Sequence, residues 1–297
     1  MHPRILARQF AATLAELRES WDVQYWPGGA MPRPAVPDEA STAGADAPPV
    51  SEVAPSPQTA EPATPAPAAP ATTTRLPVAG EVRAQAKQWT AATKLEYLRT
   101  RNVGDCQRCG LARTRTNIVF GVGNPEAKIM FVGEAPGADE DRQGEPFVGR
   151  AGARLNVWLG ALGLARADVY IANVLKCRPP GNRDPKPDEV DRCSPFLQAQ
   201  IRAIAPRVII ALGRHAGMLL SRREDLTLKA MRSASLSYDV ELGAGETRRI
   251  PIVVTYHPAY VLRQEGTEGG VEATERLVMA DLRRAIELTR DVIADPR

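Results

Sequence analysis

The sequence predicts an α/β fold, a mostly parallel central sheet flanked by helices, behind a disordered N-terminal extension. Three observations carry that expectation. From about Glu81 onward short apolar strand patterns alternate with longer helical ones. Glycines and polar residues gather just after those strands, where such sheets bind ligands. Met31 to Pro77 is dominated by Pro, Ala, Thr and Ser, with hardly a large apolar side chain.

In chain order, Ile5, Phe10, Leu14 and Leu17 recur at helical spacing with Trp21 and Trp26 behind them, so residues 3–20 read as an amphipathic helix. Residues 1–27 cannot build a core of their own. On its tether the helix is either a docking peptide for a protein partner or a segment that folds back on the body. Residues 28–80 cannot bury enough surface to offset their chain entropy and read as an extended linker. Residues 81–297 form the folded body. Its strands are expected at residues 128–132 (running into Gly133), 169–175, 207–212 and 250–256, and its helices near 150–162, 187–204, 214–223 and 271–293.

Composition excludes several classes. The chain has 297 residues, a formal charge of +3 and 25% charged residues, with no apolar run near the ~20 residues of a bilayer span. Arg and Glu interrupt the first apolar positions, which argues against a secretory signal, so a cytoplasmic protein, acting as a monomer away from membranes, is expected. The linker is acidic, which leaves the body mildly basic and compatible with a nucleic-acid partner.

Three segments at strand ends point toward one pocket: Gly133-Glu134-Ala135-Pro136-Gly137 with Asp139, Glu140 and Asp141; Asn173 followed by Lys176-Cys177-Arg178; and His257-Pro258-Ala259-Tyr260. Taken singly, the glycines are explained by a strand–helix turn and His257 by a structural role. Their convergence favours a site. The four cysteines make a second group: Cys106-x2-Cys109, then Cys177 and Cys193 with fifteen residues between them. Four are too few for a disulfide scaffold in a chain this long. A C-x-x-C pair with two dispersed partners fits a [4Fe-4S] cluster, and structural zinc stays open on spacing alone.

From Cys106 to about Leu288 the sequence resembles the iron–sulfur uracil-DNA glycosylases, family four of that superfamily. The residues carrying the likeness are the Cys106/Cys109 pair, GEAPGADED and GEPFVGRAG (Gly133 to Gly152), YIANVLKCRPPGNRDP (Tyr170 to Pro185), Cys193, and HPAYVLR (His257 to Arg263). The resemblance implies a three-layer catalytic domain, a [4Fe-4S] cluster on Cys106, Cys109, Cys177 and Cys193, and removal of flipped uracil from single- or double-stranded DNA, leaving an abasic site in base excision repair.

It further implies that uracil stacks on Phe147 and pairs with Asn173, with Gly133 and Ala135 in the binding loop. His257 would donate to the uracil oxygen where negative charge develops. Glu134 and Glu140 are the carboxylates for the hydrolytic water or the cationic sugar, since Ala135 stands where better-known relatives carry an Asp; Asp139 and Asp141 read as a solvated acidic turn. DNA would be met by Arg178, Arg183, Tyr260, Leu262 and Arg263, with Leu262 favoured as the wedge in the base stack.

Two departures matter. The segment LKAMRSASLSYDVELGAGETRRIP is unlike the family's short stretch there, and the basic His-ended loop by which a sister group traps DNA covalently is missing. No lysine stands as a Schiff-base nucleophile, which favours a monofunctional enzyme. The alternatives are a damage-binding module with weak turnover and a glycosylase for hypoxanthine or xanthine.

Overall fold

A computed structural model describes residues 88–243, 246–267 and 269–291. The amphipathic segment at 3–20 and the Pro-rich linker lie outside them. The first described helix, α1 (Ala91–Tyr97), is capped by Thr90, whose hydroxyl accepts from the Thr93 N–H. It runs into a π-helical turn, Leu98–Val103, and its Leu95 is buried with Leu98 and Val103.

Six strands follow: β1 (Val122–Gly123), β2 (Ile129–Gly133), β3 (Tyr170–Asn173), β4 (Val208–Leu212), β5 (Leu236–Gly243) and β6 (Glu246–Thr255). They form one sheet in the order β1-β3-β2-β4-β6-β5. The inner four are parallel and the two edges antiparallel, as the strand–helix alternation predicts for the centre. Strand β2 is buried along its whole length, which is why the central strands read as continuous apolar runs.

Successive strand side chains face opposite ways, and the core divides accordingly. Met130, Val132, Ile209 and Ala211 pack on one face with Phe196, Leu197 and Ile201 of α4 (Pro187–Ile204) and Leu220 of α5 (Arg214–Ser221). Ile129, Phe131, Val208 and Ile210 pack on the other with Leu155, Trp158 and Leu159 of α3 (Arg150–Ala161) and Leu282 of α8 (Gly270–Asp291). Helix, sheet and helix make three layers. No described helix is long and apolar enough to cross a membrane.

Three elements depart from the sequence expectation. GADED is not a plain turn: α2 (Ala138–Gln143) starts behind Gly137 and stops at Gly144 in the left-handed conformation. The HPAYVL stretch forms a short helix, α7 (Pro258–Leu262). The unfamiliar segment after α5 becomes α6 (Leu228–Ser233) and the β5–β6 hairpin, adding Met231, Val240 and Ile250 to the core.

Candidate active site

Parallel strands deliver their C-terminal ends to one edge of the sheet, and the loops there enclose a cleft of about 500 Å³. Glu134, Ala135, Glu140, Phe147, Asn173 and His257 all line it. The three segments expected to converge do so.

Asn173 ends β3 opposite Gly133 of β2 and is 2% exposed. Its Oδ1 is buried with no hydrogen-bond partner among the described residues, an acceptor that calls for a donor from outside. Gly133 stands behind this group rather than on the cleft wall. A Cβ there would come within 2.4 Å of Asn173 Oδ1 and 2.6 Å of the Phe147 ring, so only glycine lets both side chains reach the cleft.

Phe147 has φ of 55°, a strained conformation for a bulky residue. Arg166 braces it, donating to the Pro146 carbonyl at 2.7 Å and the Phe147 carbonyl at 3.1 Å. Glu140 helps from the other side: Oε1 accepts from the Val148 and Gly149 N–H groups at 2.9 and 3.0 Å, and Oε2 from Gly137 at 3.1 Å. Both oxygens are thus held by backbone donors, and Glu140 ties together the two loops that frame the cleft. Asp141 is no solvated turn residue; it is buried and accepts from the Thr116 and Asn117 N–H groups.

His257 caps α7, its Nδ1 accepting from the Ala259 N–H at 3.1 Å. In the neutral ring the proton is therefore on Nε2, leaving a donor. Burial pulls its pKa down to about 4 against the attraction of Glu134. The ring lies 5.6 Å from that of Phe147.

A second histidine escaped the sequence reading. His215, on the first turn of α5, meets Glu134 with Nδ1 to Oε2 at 2.5 Å. That hydrogen bond raises the His215 pKa, burial opposing it. Asp184 comes close enough to form a trio with them. No local motif marks His215, because its partner is 81 positions away in the chain.

On α7, Tyr260 and Arg263 line the cleft and Leu262 does not. Residues two apart on a helix point to nearly opposite sides, whereas three apart share a face, so Tyr260 and Leu262 cannot both look into it. Tyr260 stacks on Tyr256 at 5.1 Å. Of the basic loop, Arg183 lines the cleft but is clamped by Glu189 through two hydrogen bonds of 2.6 and 2.9 Å. Arg178 lies off the cleft wall, bonded to Asn182 Oδ1 at 2.7 Å.

The four cysteines, all free, line one small pocket beside α4. Cys106 and Cys109 come from the loop after the π-helical turn, Cys177 from the loop after β3, and Cys193 from α4. Burial pushes Cys177 up to about 11 and Cys193 up to about 12, with neighbouring cysteines adding to the rise. Arg115 donates to Cys177 Sγ at 3.6 Å and the Lys176 N–H to Cys193 Sγ at 3.2 Å. Four gathered thiols, two of them buried, are the donor set a cationic metal centre would deprotonate and bind. The site fits such a group.

The sequence model of the uracil DNA glycosylase superfamily matches residues 120–283. Among similar proteins, the type-4 uracil-DNA glycosylase of Archaeoglobus fulgidus is 49% identical over 163 residues, 54% of this chain and 80% of the relative. That of Thermotoga maritima is 42% identical over 183 residues, 62% of this chain and 88% of the relative. That of Saccharolobus solfataricus is 45% identical over 161 residues, 54% and 74%. With the three-layer fold and the strand-end cleft, these matches establish that the chain belongs to the uracil DNA glycosylase superfamily.

Proposed function

We infer that the chain is a DNA glycosylase that excises uracil, hydrolysing its N-glycosyl bond in DNA repair. The observation that carries the reading is the unpartnered, buried Oδ1 of Asn173 in a cleft with an aromatic ring and a neutral histidine. Uracil N3–H supplies the missing donor, the Asn173 amide N–H donates to the adjacent uracil oxygen, and the ring stacks on Phe147. Cytosine has an unprotonated N3, which leaves the acceptor unsatisfied.

Bond breaking leaves a cationic sugar and a uracil anion. His257, neutral and carrying its proton on Nε2, donates to the oxygen where negative charge grows. Glu134 is the carboxylate left to face the sugar and the attacking water, because Glu140 is occupied by three backbone N–H groups. His215 orients Glu134 through its Nδ1 contact with Oε2. Tyr260 rather than Leu262 is the side chain we assign to the gap left by the flipped nucleotide, since it shares the cleft face of α7 with Arg263. Arg263 then contacts phosphate, and Arg178 and Arg183 add positive field from a braced loop.

Cys106, Cys109, Cys177 and Cys193 would hold a [4Fe-4S] cluster, which when bound supplies a rigid anchor for the loop after β3. The reading extends to a cytoplasmic monomer whose segment at 3–20 either docks on a protein partner or folds back on the body.

The test is uracil release from single-stranded, U:G and U:A oligonucleotides, with hypoxanthine substrates alongside, on protein whose iron is counted. Uracil release with about four irons per chain is expected. Asn173→Ala should lower the single-turnover rate by about 10²–10³ and blunt discrimination against thymine and cytosine, while DNA binding, which rests on phosphate contacts, is kept. Tight DNA binding without release would favour the damage-binding module; stoichiometric zinc without iron would overturn the cluster.

A further inference from the structure

Lys176 stands out among the buried residues. It is 1% exposed, and its ammonium donates to two neutral acceptors, the Asn173 carbonyl at 2.7 Å and Gln200 Oε1 at 2.6 Å. An ammonium taken from water without an anion beside it is costly, and neither partner is an anion. The nearest source of negative charge is the cysteine pocket, which Lys176 itself lines. Its backbone N–H reaches Cys193 Sγ and the next residue is Cys177.

Four thiolates around an oxidised [4Fe-4S] core leave a net dianion. Four cations line the pocket, Arg108, Arg115, Lys176 and Arg192. Arg115 bonds Cys177 Sγ and the Cys106 carbonyl and is also paired with Asp105, and Lys176 is the one of the four that is fully buried. The other end of Lys176 holds the carbonyl of the residue that reads uracil, and Gln200, which shares the ammonium, is pinned in turn by the Phe120 carbonyl at 2.9 Å.

We propose that Lys176 is a positioning residue that couples the cysteine site to uracil selection, its ammonium countercharged by the cluster on one side and fixing the Asn173 main chain on the other. This rests on the cluster and on the role of Asn173 proposed above. It gives a cluster that exchanges no electrons with substrate a direct part in base recognition: when the dianion is lost, the buried ammonium loses its countercharge and the end of β3 loses its brace.

Two variants of the iron-loaded full chain test it. Lys176→Met keeps much of the volume and removes the charge and donors. Gln200→Glu is nearly isosteric; it loses the N–H given to the Phe120 carbonyl but offers Lys176 a carboxylate of its own, a charge-assisted bond that outweighs the lost one, so it is expected to fold even where the first variant does not. For Lys176→Met the cluster midpoint potential should move to more negative values, chelators should strip iron faster, and uracil release should fall at least tenfold with binding to undamaged DNA unchanged. For Gln200→Glu the potential should also fall and iron should leave faster, while uracil release stays near wild type because the Asn173 carbonyl is still held. Unchanged potential and iron release in Gln200→Glu would overturn the proposal, as would a folded Lys176→Met with wild-type uracil release. If the unaltered chain carries no iron or releases no uracil, it is the underlying reading that fails.

Discussion

His257 and His215 share one cleft and are driven in opposite directions. Burial holds His257 near 4, below its ordinary 6.5, so the folded protein keeps it neutral while the unfolded chain binds a proton. The stability tied to its neutral form is present above 6.5 and is lost as pH falls from 6.5 through about 4. His215, raised by its bond to Glu134, behaves in reverse: its contribution is present below 6.5 and is lost as pH rises through its folded value. The single-turnover rate should therefore show no acid limb at 6.5, a fall toward pH 4, and an alkaline limb that His215→Gln removes. A limb at 6.5 that vanishes in His257→Gln would contradict the neutral donor. The sequence alone makes His257 legible, because it closes a motif at a strand end. It leaves His215 silent, because only the fold brings α5 to the loop after β2.

At the scale of elements, the loop between α2 and α3 shows how a strained residue is kept in place. Phe147 in the left-handed region costs about 1–3 kcal/mol, and Arg166 and Glu140 hold the flanking carbonyls and N–H groups. Arg166→Ala should leave the sheet intact and loosen this loop, lowering uracil release about tenfold with only a small drop in melting temperature. Measuring both on one preparation checks it; an unchanged rate would show that the Glu140 side suffices. Of the two glutamates in GEAPGADE, Glu134 and Glu140, spacing cannot say which is free. The answer lies in which backbone donors each one meets after α2 forms. Strand β5 was legible in principle, since Leu236, Tyr238, Val240 and Leu242 alternate with polar residues. Against the family's pattern the segment reads only as a departure, whereas in the fold it supplies an edge strand, which can be added without disturbing the parallel centre.

For the whole molecule, the described sheet and both described helical layers lie after residue 87, and a chain beginning at Glu81 should excise uracil from oligonucleotides at the full-length rate. A folded but inactive truncated chain, compared by circular dichroism and single-turnover release, would assign residues 1–80 a direct part in the reaction. By itself the sequence determined the layered α/β architecture, the four central strands, the cysteine set and the motifs at the strand ends. These follow from local apolar periodicity and from residues adjacent in the chain. The tertiary structure alone decided the empty acceptor of Asn173, the meeting of His215 with Glu134, the engagement of Glu140, the turn of Tyr260 toward the cleft, and the place of Lys176 between the cysteines and Asn173. Each of these depends on which groups from distant segments exclude water from one another, and burial and hydrogen-bond satisfaction arise only once the layers have closed.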